Sequence, residues 1–233
     1  MAIIDFHSHI LPKMDDGSRD YEMTAQMLQS AREQQIDTIV ATPHFYADSM
    51  IISDFIRLRQ HVCLKVKELA LAGNIRIVCG AEVAFFSGIG KADEIDALLI
   101  GKTDLLLLEM PFRSWSEHEL YEIDLLLRRG IQPVIAHLER FYPYQKDKEI
   151  IPALLDMPVY IQLNAECLLD WKMRRRAMKL FKNRQAHLLG SDCHNMSNRP
   201  ENLGEGRKVL ERKLGKDFLE ELDEFGTSLL GME

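Results

Sequence analysis

The feature that most constrains this chain is a repeated tempo: a short apolar run, a polar loop, then a segment with helical spacing. The apolar runs are Ala2–Phe6, Asp37–Thr42, Ile75–Ala81, Asp104–Leu108, Gln132–Ala136, Val159–Leu163 and Ala186–Leu189. They are short, nearly continuous and in several cases β-branched, the pattern of parallel strands buried on both faces. Helical patterns separate most of them. Met23, Met27, Leu28 and Ala31 recur at helical spacing. Ser53 is an expected N-cap for a helix through Phe55, Leu58, Val62, Val66 and Leu69, with Gly73 as its stop. Ser116 caps another through Leu120, Ile123, Leu126 and Leu127 to Gly130, and Cys167–Asn183 and Glu205–Leu229 read as further helical regions. Strands alternating with helices at this tempo predict an α/β fold with a parallel sheet and helical crossovers. Seven strands fit either an open doubly wound sheet or a closed barrel, and composition does not decide between them.

Length and charge narrow the class. With 233 residues, 46% hydrophobic and 28% charged, the chain fits one globular domain over 1–233. No stretch reaches the roughly 18 apolar residues of a membrane span, and the beginning of the chain has no basic start followed by an apolar core, so the expected location is the cytoplasm. A net charge of −7 argues against a nucleic acid or an anionic membrane as the main partner. Cys63, Cys79, Cys167 and Cys193 form no CxxC pair and are expected as small buried hydrophobes in a reducing compartment.

The chemistry is at the strand ends. The first run leads into His7 and His9, with Asp16 in the loop beyond; the second leads to His44, the third to Glu82, the fourth to Glu109, the fifth to His137, and the last to Asp192 and His194. In parallel α/β folds the active site lies at the C-terminal ends of the strands, where side chains distant in sequence converge. Any one of these groups alone reads as a polar loop residue. Nine of them at corresponding positions read as a metal site, because such a cluster is expensive to bury without cations. Imidazole and carboxylate ligands without thiolate suit Mn, Fe, Zn or Mg. Asp16, Glu82, Glu109 and Asp192 supply four negative charges. Three dications would leave the site at about +2, attractive to a phosphate dianion. Arg140 and Arg199 sit three and five residues beyond His137 and His194, and their guanidinium forks match phosphate oxygens.

The segments Asp5-Phe6-His7-Ser8-His9-Ile10-Leu11-Pro12, Asp15-Asp16-Gly17-Ser18, Thr42-Pro43-His44, Ala136-His137-Leu138-Glu139-Arg140 and Gly190-Ser191-Asp192-Cys193-His194-Asn195 resemble the PHP (polymerase and histidinol phosphatase) superfamily. Within it they resemble the CpsB/CapC-type tyrosine phosphatases of bacterial capsule and exopolysaccharide loci. The resemblance covers essentially the whole chain. It implies a distorted TIM-like (β/α)7 barrel with three divalent metal ions, often manganese. It implies one metal held by His7, His9, Glu82 and Asp192, a second by Glu82, Glu109 and His137, and a third by Asp16, His44 and His194. Arg140 and Arg199 fall where the family's substrate-binding or acid-supporting arginines lie. The implied reaction is attack by metal-activated water, in line, on a phosphotyrosine, with a bacterial tyrosine kinase tail as protein partner. A homo-oligomer is compatible with the sequence. Lys13 departs from the family, whose loop commonly has Gly there.

Cys193-x5-Arg199 matches the signature of cysteine-dependent tyrosine phosphatases. As a nucleophile Cys193 is rejected: it lies between two expected ligands in extended chain and points away from them, and the following loop has no glycine to wrap backbone donors around phosphate. His61, His118 and His187 read as structural. Phe45, Tyr46, Phe112 and Trp115 follow the ligand-bearing ends, as an aromatic rim or as loop packing. Asn164 ends the sixth run within reach of substrate, and Arg174-Arg175-Arg176 reads as a solvated helix face that could meet an acidic tail or another subunit. The competing functions are a small-molecule phosphatase such as histidinol phosphatase, a TatD-like nuclease or amidohydrolase, and a metal-binding regulator without catalysis.

Overall fold

The computed structural model describes residues 2–232. Its strands are β1 (Ile4–Ser8), β2 (Thr38–Ala41), β3 (His44–Phe45), β4 (Arg76–Cys79), β5 (Glu82–Ala84), β6 (Leu105–Glu109), β7 (Gln132–Ile135), β8 (Tyr160–Asn164) and β9 (Leu188–Gly190). All ladders are parallel: β1-β2-β4 in one sheet and β3-β5-β6-β7-β8-β9 in the other. The two sheets are one curled surface. Thr42-Pro43 separates β2 from β3, and Gly80-Ala81 separates β4 from β5; β3 and β5 lie beyond the ends of the second and third apolar runs. Across the breaks, Gly80 N donates to Ala41 O at 2.9 Å and Glu82 N to Pro43 O at 3.1 Å. The ring joins between its first and last strands, where Ser8 bridges Cys193, Asp192 N donates to His7 O (2.7 Å) and His9 N donates to Cys193 O (2.9 Å). The seven strand positions are those of the seven apolar runs, and the barrel is the outcome that composition left open.

The helices are α1 (Tyr21–Glu33), α2 (Ile52–Leu71), α3 (Glu117–Arg128), α4 (Ile150–Leu155), α5 (Glu166–Leu169), α6 (Trp171–Lys182), α7 (Leu203–Leu214) and α8 (Lys216–Leu229). Ser116 caps α3 in a capping box with Glu119. Two boundaries differ from expectation because a single residue stops each helix. Asp170 is extended and caps α6, splitting 167–183, and Gly215, at φ +93°, splits α7 from α8. Ser53 lies inside α2 rather than at its cap. No helix among the described residues is long and apolar enough to cross a membrane.

Strand pleat separates two cores. Leu106, Leu108, Ile135, Ile39 and Leu163 face the helices. Ile4, Phe6, Val40, Leu105, Leu107, Val134, Ala136 and Leu188 fill the barrel interior with Leu230. Each such buried aliphatic side chain contributes roughly 1.5–3 kcal/mol. The close approach of α8 to Phe6, where a Cβ on Gly226 would lie 2.7 Å from the ring, seals the N-terminal end of the barrel. Only the other end stays polar. Cys63 of α2 and Cys79 of β4 form a disulfide across a Cα–Cα distance of 6.8 Å, whereas Cys167 and Cys193 are free and buried. The expectation of four unpaired cysteines fails for the first two because α2 packs directly on β4, a proximity that their spacing did not signal.

Candidate metal centre

Pleat and register carry the interior face upward into chemistry. Glu82 pairs in register with His44 on one side and Leu107 on the other, so His44, Glu82 and Glu109 share the face that Leu107 presents to the interior. On β1 the register slips between Asp5 and Ser8. Such a bulge re-aims side chains, and it takes the strand from the interior apolar residue Phe6 to His7 and His9. His137 (φ +32°) and Asp192 (φ +54°) occupy the left-handed region, a strained conformation for residues other than glycine that clusters at functional sites.

All nine expected ligand residues meet at this end. His7 Nε2 lies 3.0 Å from His9 Nε2 and 3.1 Å from Glu82 Oε2. Asp192 Oδ1 is 3.6 Å from the former and 3.3 Å from the latter imidazole. His137 Nε2 approaches Glu82 Oε1 at 2.8 Å and Glu109 Oε1 at 3.4 Å. Asp16 Oδ1 stands 3.4 Å from His194 Nε2 and 3.7 Å from His44 Nε2. His44 Nδ1 lies 3.0 Å from Glu82 Oε2. His7, His9 and Glu82 are fully buried, whereas the Asp16 side chain is 71% exposed at the mouth.

The protonation pattern fits cations. Each of three imidazoles gives its Nδ1 to an acceptor: His7 to Gln162 Oε1 (3.2 Å), His9 to Asp15 Oδ2 (2.6 Å) and His194 to the Asp192 carbonyl (2.9 Å). In the neutral ring that leaves a lone pair on Nε2 facing the cluster. With both rings neutral, the Nε2 atoms of His7 and His9 meet lone pair to lone pair, and Asp192 Oδ1 is buried without a hydrogen-bond partner. Such an arrangement is costly unless positive charge sits among the donors. With no cation among the donors, protons on the imidazoles meet the same demand for positive charge, and the titration directions follow from that. Burial alone would raise Glu82, yet His7, His137 and His44 hold it well below its ordinary range. Burial likewise opposes the charged form of His9, but Asp15, Asp192 and Glu82 hold it well above its usual value.

Sequence reasoning did not give the supporting roles of a surrounding layer. Asp15 orients His9 and also accepts from His44 N at 2.9 Å. Gln162 Oε1 accepts from His137 N (2.9 Å) as well as facing His7, and its amide donates to Asn164 Oδ1 (2.9 Å). Asn164 donates in turn to Asp192 Oδ2 at 2.8 Å, so it supports a ligand-type residue rather than reaching toward substrate. Such outer partners fix ligand orientation. The signal for Asp15 was present in Asp15-Asp16. Gln162 gave none, because a glutamine inside an apolar strand run names no partner.

Both arginines reach the site. Arg140 forms an ion pair with Asp192 Oδ2 at 2.8 Å, and Arg199 donates to that same oxygen at 2.5 Å and to His194 Nε2 at 2.8 Å. Both remain about one-third exposed. Of the four aromatics, Tyr46 and Phe112 are exposed beside His44 and His137 at centroid distances of 5.2 and 6.1 Å, whereas Phe45 and Trp115 are buried packing residues. Cys193 is buried in the outer core, and burial, reinforced by Glu201 and Asp5, pushes its thiol far above the ordinary range. It is no thiolate nucleophile. His61 is exposed, His118 faces Ser87 Oγ (3.2 Å) and His187 accepts from Ile161 N (3.0 Å), all away from the site.

Comparison with known proteins gives consistent matches over nearly the whole chain. The model of the family described as capsular polysaccharide synthesis, CpsB/CapC, matches residues 3–225. The tyrosine-protein phosphatase CpsB of Streptococcus agalactiae is 27% identical over 231 residues, covering 94% of each chain. The tyrosine-protein phosphatase YwqE of Bacillus subtilis is 27% identical over 224 residues, covering 93% of this chain and 87% of that one. Among solved structures, one of those of YwqE from Bacillus subtilis and CpsB from Streptococcus pneumoniae, described as unique metal-dependent tyrosine phosphatases, superposes with a TM-score of 0.86 at 24% identity. It covers 98% of this chain and 94% of the other.

Proposed function

Because this chain belongs to the CpsB/CapC capsular polysaccharide synthesis family, we propose that it is a metal-dependent protein-tyrosine phosphatase. Its expected substrate is a phosphotyrosine polypeptide, the tail of a bacterial tyrosine kinase that controls capsule or exopolysaccharide synthesis, met in the cytoplasm. The observation that carries the reading is the convergence of nine ligand-type side chains and two guanidinium groups at one open end of the barrel. The full-length relatives named tyrosine-protein phosphatases support the choice of reaction.

Three divalent ions, manganese first among them, fit the donor set, with His7, His9, Glu82 and Asp192 around one, Glu82, Glu109 and His137 around a second, and Asp16, His44 and His194 around a third. When bound they supply Lewis acidity, lowering the pKa of water and neutralising phosphate charge. The chain's own residues do the rest. Glu82 and Asp192 stay ionised in a buried setting because imidazoles and guanidinium groups surround them. Arg140 and Arg199, tethered to Asp192 and about one-third open to solvent, place N–H donors where the oxygens of an entering phosphate dianion are met. Tyr46 and Phe112 offer aromatic faces at the mouth to the phenyl ring of the ester. Phenolate is a good enough leaving group that the reading requires no strong acid.

The test combines elemental analysis of the purified protein with phosphotyrosine-peptide turnover, with and without chelator. The expected result is bound metal and turnover that falls with chelation and returns with manganese. A metal-free protein whose turnover ignores the chelator would refute the reading.

A further inference from the structure

The run Arg174-Arg175-Arg176 divides on the fold. Arg174 turns inward, its guanidinium donating to the carbonyls of Leu168 (2.5 Å) and Leu169 (2.7 Å) at the end of α5. Arg176 lies over the Tyr142 ring at 4.1 Å. Arg175 faces a groove of about 640 Å³ between α4 and α6. Lys148, Lys172, Arg175, Arg176 and Lys179 line this groove, and Asp156 is its one acid. None of the five cations is within ion-pair distance of a carboxylate among the described residues. Lys172, Arg175, Arg176 and Lys179 recur at three- and four-residue spacing on one face of α6, where like charges repel. Ile151, Leu155 and Leu180 also line the groove and make part of it apolar.

An unpaired cluster of one sign in a chain of net charge −7 is a binding feature that costs stability in isolation. Its position indicates the occupant. Tyr142, a lining residue, follows Arg140 by two residues in the turn after His137. Glu166 at the start of α5 lies 3.9 Å from Arg140, and five residues on, Trp171 is 76% exposed beside Lys172 of the groove. The groove thus starts at the loop that carries the site's arginine and has an exposed indole at its edge.

We propose that the groove between α4 and α6 docks an acidic or further phosphorylated segment of the same polypeptide whose phosphotyrosine enters the metal centre. This rests on the phosphatase reading and adds to it a substrate preference: anionic side chains on one side of the scissile residue bind Lys148, Lys172, Arg175, Arg176 and Lys179, and their apolar neighbours meet the floor.

The experiment uses the full chain and two fluorescent phosphotyrosine peptides, one flanked by acidic residues and one with those residues replaced by serine and glutamine. Anisotropy reads binding and phosphate release reads turnover. For Arg175→Glu/Lys179→Glu the expected outcome is weaker binding and higher KM for the acidic peptide by about tenfold at low salt, with kcat held and the effect shrinking as salt screens it. Its kcat/KM for p-nitrophenyl phosphate and for the neutral peptide is expected to stay within about twofold of the wild type. Arg175→Gln/Lys179→Gln is the second variant should charge reversal impair folding, with a smaller shift in the same direction. Equal loss on both peptides, or no loss on the acidic one, would overturn the proposal, as would a single-stranded RNA oligomer or inorganic phosphate displacing the acidic peptide more effectively than its unlabelled form. Binding that discriminates the peptides while no phosphate is released would instead sink the phosphatase reading and leave the groove standing.

Discussion

At the scale of single residues, the identity of the nucleophile is decided by where two side chains point. Cys193 and His194 are neighbours, yet one faces the outer core and the other the metal centre. Cys193→Ser is therefore expected to retain phosphatase activity within about threefold, since the thiol is buried and un-ionised. His44→Ala is expected to lose at least about a hundredfold, because it removes the Nε2 facing Asp16 and the Nδ1 facing Glu82. Steady-state turnover of a phosphotyrosine peptide checks both, and the reverse pattern would restore the cysteine mechanism. Lys13 sits at φ +61°, a conformation glycine adopts without strain. The backbone there is shaped as if for glycine, and lysine tolerates it.

At the scale of elements, the loop after β1 folds back on the strand it leaves. Ser18 N donates to His9 O at 3.0 Å, and a Cβ on Gly17 would lie 2.3 Å from that same carbonyl and 2.4 Å from the His9 Cβ. Backbone cannot yield at that distance, so Gly17→Ala is expected to displace the loop that carries Asp15 and Asp16. The predicted readout is lower metal content by elemental analysis and turnover reduced by about tenfold or more, the effect typical of losing a ligand's outer partner. Full metal content with wild-type turnover would show that the loop is not held in this way. The strand runs and the α3 cap at Ser116 were legible in sequence because both are local patterns. The breaks at Asp170 and Gly215 were not, because helical spacing continues across them and one cap outweighs it.

At the scale of the whole molecule, the barrel has a chemical end and a structural end, and they respond differently to pH. His187 lies near the sealed end, 5.4 Å from Tyr160 and 6.1 Å from Phe225 of α8, and its Nδ1 accepts from Ile161 N. Burial holds its pKa below the ordinary 6.5. The folded state then binds fewer protons than the unfolded chain once pH drops below that value, so its stabilising effect is complete above pH 6.5 and is lost as pH falls through the lower folded value. Urea unfolding midpoints are expected to fall between about pH 7 and pH 5, and to fall less steeply in His187→Asn, by no more than about 1.4 kcal/mol per pH unit. Parallel slopes for the two proteins would remove His187 from the account.

The sequence by itself determined the strand–helix tempo, the placement of His7, His9, Asp16, His44, Glu82, Glu109, His137, Asp192 and His194 at strand ends or in the adjoining loop, and the two arginines beyond them. It could do so because periodicity and residue chemistry are properties of neighbours along the chain. Tertiary structure alone decided that the sheet curls into a ring joined at β1 and β9, that a bulge and two left-handed residues turn the ligand set inward, and that Asp15, Gln162 and Asn164 hold it there. It alone also brought Cys63 to Cys79 and gathered the cations of α6 and Lys148 around one groove. Most of these depend on the closing of distances between residues far apart in the chain, and register, twist and packing of the assembled barrel set those distances.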